Sequence, residues 1–473
     1  MDRILKYKVA IVMLFLFLLL FTACQTQDEF RKTGTHWTVG FDKREIVPED
    51  ITAKTYYIAG YDIDKPATGI LDPQYVRAVW MDDNSGRGGV VMAVIDCIGL
   101  TRTDVEHIRS LLKDFQKKSG CRSINIFSTH THAGIDTLGI WGPLLQSGKD
   151  EEFMEMLYKN TVDAVVGAWQ NRKDGVLFGG SVEVEGILND SRDPQVYSKT
   201  LFRFRFEPYD NSRGLQMIHF GAHPEALRSE NTLVSADFPA YMGKRIMEMT
   251  NDEFVYFTGA IGGLINTKRL SDESGRQLDV YKSTEKTGEI LADAALSIDN
   301  ERVLMPSFNI KTKVFESPLE NPVYLIEKFL GILSTKAVKG GGEPFNLSVR
   351  TEVTYAEIGD VKAIFVPGEL FPELAYGGDE AFIPVHESVQ NPKTFAEMLG
   401  DSNFLVFGLS NDEIGYILPP NNFLLDEKLP YIENAVDKYG RRHYEETNSI
   451  GPKTAENLAN ALMELLASCG ITR

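Results

Sequence analysis

Ile124-Asn125-Ile126-Phe127-Ser128-Thr129-His130-Thr131-His132-Ala133-Gly134 is the stretch from which the rest of the chain can be read. Its first half has the β-branched and aromatic content of a buried strand, and its second half opens into a glycine-containing loop. In extended backbone, residues two apart point the same way, so His130 and His132 are expected to face one side of the strand end. A bare His-x-His also describes two partly exposed histidines at a corner, because short motifs often match by chance. The flanking pattern says what kind of corner this is. Residues 76–80 and 89–96 read as strands separated by the turn Asp82-Asp83-Asn84-Ser85-Gly86. Residues 103–118 have helical spacing, with Val105, Ile108, Leu112 and Phe115 on one face and Thr103 placed as the N-cap. The unit is strand, turn, strand, helix, strand, and its histidines sit at the carboxyl end of the last strand, where open α/β sheets hold their ligands.

A second unit of this shape follows downstream. Val361-Lys362-Ala363-Ile364-Phe365-Val366 reads as a strand ending in Pro367-Gly368-Glu369, a helical segment follows, and Phe404 to Leu409 reads as another strand ending in Ser410 to Tyr416. Lys339 to Pro344 (KGGGEP) is the clearest flexible break between the two units. The expected fold is α/β: one large two-lobed domain of β-sheets flanked by helices, over residues 37–473, with the site between the lobes.

Composition narrows the function. The chain has 473 residues, 43% apolar and 25% charged, which is ample for a large core. Its 49 basic against 67 acidic side chains give a net charge of −18, so no nucleic-acid partner is expected. At the start, Arg3, Lys6 and Lys8 precede an apolar run from Val9 to Phe21 and then Thr22-Ala23-Cys24. The run is short for a bilayer span, which needs about 20 apolar residues. It reads as a lipoprotein-type export signal over residues 1–23, with Cys24 as the acylated new N-terminus and residues 24–36 as a polar tether. The protein is therefore expected outside the cytoplasm as a membrane-anchored bacterial lipoprotein, with no protein partner called for. Beyond Cys24 only Cys97, Cys121 and Cys469 remain, with no CxxC pair, so a metal here needs histidine or oxygen ligands.

Further candidate ligands sit on similar corners. Leu215 to Phe220 reads as a strand, and Gly221-Ala222-His223-Pro224 places His223 on the loop after it. Gly221 and Pro224 make a helix there improbable, which leaves His219 as a packed strand histidine. Glu369 follows Pro-Gly at another strand end. Taken alone, Glu369 reads as a solvated loop carboxylate and Tyr416 as a core residue.

Together these residues resemble the catalytic domain of the neutral and alkaline non-lysosomal ceramidases, zinc amidases that hydrolyse the N-acyl bond of ceramide. The motifs that carry the likeness are Thr129-His130-Thr131-His132, Asn189 to Tyr197 with Arg192 and Pro194, His223-Pro224, Pro367-Gly368-Glu369, Asn411 to Tyr416, and His443-Tyr444-Glu445 with Gly451-Pro452 after it. They occur in the family's order, from about Trp37 to the end. The resemblance implies one zinc ion held by His130, His223, Glu369 and Tyr416, with His132, Arg192 and Tyr444 around the substrate. It also implies cleavage of an N-acyl lipid amide by zinc-activated water, His132 passing a proton to the leaving nitrogen and Arg192 with Tyr444 holding the oxyanion.

The sequence departs from the family in places. The loop that carries a serine in the family reads Gly259 to Asn266 here, with Ile265 nearest the serine, so a serine nucleophile is in doubt while a zinc-water mechanism is not. The loop after the histidines, Ile135 to Pro143, is bulkier than the family's. The chain stops at Arg473, and no C-terminal immunoglobulin-like domain is expected. A zinc hydrolase of the same fold acting on another amide or an ester, and a surface lipoprotein that only binds lipid or glycan, are the competing readings.

Overall fold

The computed structural model describes residues 30–340, 345–378 and 384–471. The expected signal segment, Cys24 and the first part of the tether lie outside the described residues. Residues 30–36, expected as the end of the tether, belong to the body: Phe30 is buried against the ring of Tyr355, and Arg31 pairs with Glu357 at 2.7 Å.

Among the described residues the chain builds two large sheets, besides four two-stranded ones. The first runs in the order Glu253–Thr258, Leu215–Phe220, Thr200–Pro208, Lys173–Glu183, Trp37–Glu45, Tyr75–Asp82, Val90–Ile95, Ser123–Ser128, with Arg302–Val303 paired to one side of Lys173–Glu183. The second runs Phe308–Pro318, Leu347–Ile358, Val361–Phe365, Phe404–Phe407, with Ala337–Lys339 added on Leu347–Ile358. They are the two expected lobes, and they stack face to face. The strand Val90–Ile95 explains how. Val90, Met92 and Val94 point into a cluster shared with Ala356, Ala363, Phe365 and Phe407 of the second sheet, while Val91, Ala93 and Ile95 point to the other face, under Val105, Ile108, Leu157 and Val165 of the helices Arg102–Leu111 and Glu151–Gln170. A strand covered on both faces must be apolar throughout, which is why this run shows no alternation. Helices Phe238–Thr250 and Val280–Leu296 cover the far part of the first sheet, and Thr454–Ser468 covers the outer face of the second.

Three segments, not two, share the unit read from sequence. Tyr75–Asp82 with Val90–Ile95, Thr200–Pro208 with Leu215–Phe220, and Leu347–Ile358 with Val361–Phe365 are antiparallel pairs. Each second strand then crosses over to a parallel partner: Ser123–Ser128, Glu253–Thr258 and Phe404–Phe407 respectively. Parallel partners send their carboxyl ends to the same side. The KGGGEP break proves to be internal to the second sheet, because Ala337, Val338 and Lys339 pair with Val349, Ser348 and Leu347 on its other side. Residues 341–344 of it lie outside the described residues. The predicted helix over 103–118 is two helices, Arg102–Leu111 and Lys113–Ser119, and its N-cap is Thr101, whose hydroxyl and Asp104 form a capping box.

The carboxyl ends of the three units are stitched together. Asn411 donates its backbone N–H to the Ile126 carbonyl at 2.7 Å and accepts the Ile126 N–H on its side chain at 2.8 Å. Thr258 donates its hydroxyl to the Thr129 carbonyl at 2.7 Å, and the Gly408 N–H donates to Thr258 at 2.9 Å. Beneath this seam the ring of Phe127 lies 5.3, 5.1 and 5.8 Å from those of Phe257, Phe365 and Phe407. The candidate residues stand directly beyond it.

Candidate metal centre

His130 leaves the strand in a left-handed conformation, φ 67°, which an L-residue adopts at a cost of about 1 kcal/mol or more. The turn is held by the His130 N–H on the Cys97 carbonyl at 2.9 Å and by its Nδ1 on the Ile98 carbonyl at 2.5 Å. The two histidines thus reach one site through a turn and not through extended alternation; their rings are 4.9 Å apart. His132 is fixed by its N–H on the Pro224 carbonyl at 3.0 Å, and it lies against Gly60, where a Cβ would come within 2.6 Å of its ring. A side chain at position 60 would therefore displace the histidine.

His223 follows Leu215–Phe220, and both its N–H and its Nδ1 meet the Ile265 carbonyl, each at 2.8 Å. The position nearest the family's serine therefore contributes through its backbone, while its side chain is buried. Glu369 and Tyr416 are neighbours in a short parallel pair, Glu369–Leu370 with Tyr416–Ile417. Glu369 Oε2 lies 2.8 Å from Nε2 of His223 and 3.4 Å from Nε2 of His130. Burial opposes ionisation of Glu369, but His130 and His223 outweigh it and hold the carboxyl well below its usual range.

The donor chemistry fits a metal ion. An imidazole whose Nδ1–H is tied to a carbonyl can use Nε2 either to donate to a carboxylate, as His223 is placed to do for Glu369 Oε2 at 2.8 Å, or to bind a metal, and His130 and His223 both aim Nε2 at that one oxygen. His132 stands beside them with both ring nitrogens buried and unpartnered. Burial, and then the nearness of His130 and His223, depress its basicity far below the ordinary imidazole, which keeps it neutral. The ligand atoms of His130, His132 and His223 all lie within 4.8 Å of one another, close enough to hold one metal ion. His132 is held less closely than the other two: its ring lies against the Gly60 backbone, and its Nδ1 is 3.5 Å from Oε2 of Glu225, an oxygen to which Tyr61 also donates at 3.2 Å.

A pocket opens over this cluster. His130, His132, Glu369, Tyr416 and Tyr444 line it, with Leu138, Ile140, Trp141 and Leu333 as apolar walls. Leu138 to Trp141 belong to the bulky loop singled out in the sequence, and buried Asp136 holds that loop by accepting the N–H groups of Leu138, Gly139 and Trp141 at 2.9, 2.7 and 2.9 Å. Tyr444 stands at the rim, 41% exposed, its ring 6.4 Å from that of Tyr416.

Arg192 is placed differently from its expected role. It does not line the pocket: its guanidinium lies over the ring of Phe371 and is bound bidentately by Glu446 at 3.0 and 2.6 Å, with Glu445 on the same nitrogen. Those carboxylates occupy its terminal nitrogens, while Nε is buried without a partner, and the guanidinium anchors the segment that carries Tyr444. His443, buried next to Tyr444, is held by Glu446 at 2.7 Å. Sequence reading missed Glu225, which directly follows His223-Pro224, and Glu413 and Tyr324, which also line the pocket. Only Glu413 had a signal, its place inside the Asn411 to Tyr416 turn.

Two solved structures share this arrangement of strands. The neutral ceramidase from Pseudomonas aeruginosa aligns over 93% of this chain and 75% of its own, with a TM-score of 0.70 at 14% identity. The chain has the neutral ceramidase fold. A structure of a ceramidase complexed with C2 gives a TM-score of 0.67, covering 92% of this chain and 75% of the other, again at 14% identity. No family model and no curated protein matches the sequence. The ceramidase fold thus extends over nearly the whole described chain, and the histidine cluster, the pocket and the Arg192 anchor are this chain's own residues on it.

Proposed function

We propose that the protein is a zinc-dependent amidohydrolase that cleaves the N-acyl amide bond of ceramide or a related N-acyl lipid. The observation that carries the reading is the pair of imidazoles anchored through Nδ1 with their Nε2 atoms converging on one oxygen of Glu369, beside the buried His132. Nitrogen and carboxylate donors in this number suit zinc. In this reading His130, His223, Glu369 and Tyr416 hold the ion, which when bound polarises a carbonyl and brings the pKa of water down toward about 7. His132 moves the proton: being neutral it accepts one and then delivers it to the departing nitrogen, with Glu225 steadying the imidazolium from its far side. The rim hydroxyl of Tyr444 donates to the developing oxyanion. Arg192 and Glu446 hold Tyr444 in place, and the apolar walls from Leu138 to Trp141 exclude water and receive hydrocarbon. Ile265 offers no nucleophile, so no acyl-enzyme is expected.

Metal analysis of the purified protein is expected to give one zinc per chain. A panel of N-acyl sphingoid, N-acyl amino acid and simple ester substrates should then show chelator-sensitive amide cleavage with no acylated enzyme by intact mass spectrometry. Turnover of esters alone would remove the amidase assignment, and a trapped acyl-enzyme would remove direct attack by water.

We further propose that Cys24 carries lipid and keeps the protein at an extracytoplasmic membrane surface, on the strength of the signal-like run before it. Cys24→Ala should then release the protein from membranes or stop its processing; unchanged attachment and mobility would refute this.

A further inference from the structure

The lipid anchor proposed for this chain and its pocket belong to opposite ends of the strands. Phe30 is the sixth residue after Cys24 and is buried against the body. Its carbonyl accepts from Nη1 of Arg87 at 2.8 Å, the Lys32 N–H donates to Asn309 Oδ1 at 3.0 Å, and the Gly34 N–H donates to the Pro306 carbonyl at 2.6 Å. Between them Arg31 pairs with Glu357. These partners sit where the strands that lead to the pocket begin: Arg87 on the turn before Val90–Ile95, Asn309 opposite Glu357, and Glu357 opposite Lys362 near the start of Val361–Phe365. Both strands run away from this end, and Ile98 and Glu369 of the pocket follow their carboxyl ends.

Strand Phe308–Pro318 measures the separation. Asn309 near its start holds Lys32; Pro318 at its end leads into helix Pro322–Phe329, and Tyr324, Leu333 and Thr335 from that stretch line the pocket. From Asn309 to Pro318 the strand spans about 30 Å, at about 3.4 Å per residue. A chain of six residues spans at most about 20 Å. For the pocket to face the membrane that holds Cys24, the body would have to stand inverted with Phe30 about 30 Å or more above it, beyond that reach. The far end is also apolar. Ile326, Phe329 and Leu330, on one face of the helix and its last turn, are 53, 76 and 53% exposed, and Leu144 and Leu145, just after the pocket wall of Leu138 to Trp141, are 75 and 65% exposed. Exposed apolar side chains grouped beside an apolar pocket mark a contact surface.

We propose that the pocket opens away from the membrane that anchors the protein and takes its substrate from a second lipid surface, which docks on the end formed by helix Pro322–Phe329 and the loop at Leu144. This rests on the amidase and anchor readings above. The test reconstitutes the zinc-loaded, lipidated protein in phosphatidylcholine vesicles and places a fluorescent N-acyl sphingoid lipid either in those vesicles or in separate ones. Hydrolysis within the protein's own vesicle is independent of dilution, whereas hydrolysis between vesicles falls with it. A tether that cannot span to its target contributes nothing to the linked event, so the wild type should show only the dilution-dependent rate. Inserting about 40 Gly/Ser residues between Glu29 and Phe30, with an r.m.s. reach of about 35 Å, should add a dilution-independent rate at least about tenfold above that of the wild type. A second measurement needs no activity. A fluorophore on Met305→Cys, a residue 63% exposed beside the Pro306 that holds Gly34, should transfer energy to acceptor lipids in the anchoring membrane at least about threefold more efficiently than one on Leu144→Cys, given about 30 Å between the two ends. Dilution-independent hydrolysis by the wild type, no gain from the long tether, stronger transfer from position 144, or cleavage of micellar substrate but none in second vesicles each overturns the proposal. Failure to cleave the lipid even in micelles overturns the amidase reading and leaves the orientation to the transfer measurement. Cys24→Ala that stays on membranes overturns the anchor, and the inference with it.

Discussion

His223→Ala is expected to leave the purified protein without metal and to lower kcat/KM by about 10³–10⁵-fold. The magnitude follows from the several kcal/mol that a Lewis acid contributes to charge stabilisation, at tenfold for each 1.36 kcal/mol. His223 is fully buried, and its N–H and its Nδ1 are both held by one carbonyl, which fixes its Nε2 on Glu369. His130→Ala should behave alike, since its ring is anchored in the same way on the Ile98 carbonyl. His132→Ala is the discriminating variant. Held less closely than the other two, His132 is assigned to proton transfer, and its removal should keep the metal while costing about 10²–10⁴-fold in turnover. Metal analysis of the three variants side by side decides the matter; complete metal loss from His132→Ala would make it a ligand and leave the proton step to another group.

Arg192→Met should cost about 3–5 kcal/mol of folding stability, the usual effect of removing one partner from a buried ion pair. Two carboxylates depend on it: Glu445 and Glu446 are both buried, and Glu446 also holds His443. Denaturant unfolding measures the loss, and the triple variant Arg192→Met/Glu445→Gln/Glu446→Gln should recover much of it, because no stranded charge remains. A stable Arg192→Met that is merely slow would return the guanidinium to the oxyanion role suggested by the family resemblance.

The contrast between these two sites shows what a sequence of this kind discloses. His130 and His223 were legible as strand-end positions because each follows an apolar run; Glu369, which alone reads as a solvated loop carboxylate, is in fact buried, and only its place in the family's motif singled it out. Arg192 was legible as a position but not as a role, because its partners lie 253 and 254 residues away, where no local pattern points. The same holds for the Ile265 carbonyl that orients His223 from 42 residues downstream. The third strand unit escaped notice because its hairpin, Thr200–Pro208 with Leu215–Phe220, carries arginines at 203 and 205 that break the apolar run; these two pair with Glu301 at 2.8 and 2.9 Å. The left-handed turn at His130 had no signal at all, since glycine or asparagine would be the ordinary occupant there.

The seam between the three strand units makes the metal a witness to assembly. His130, His223 and Glu369 each come from a different unit, and the units meet at the seam where Asn411 is bonded to Ile126 and Thr258 to Thr129, over the ring cluster around Phe127. No single unit, nor any two of them, carries the full donor set. A ligand bound by the native state alone adds about 1.4 kcal/mol of stability for each tenfold excess over its dissociation constant. Thermal unfolding should therefore shift upward with free metal, and a partly folded chain, whatever its helical content, should bind none: the proposed donor set is complete only when the last of the three corners has docked.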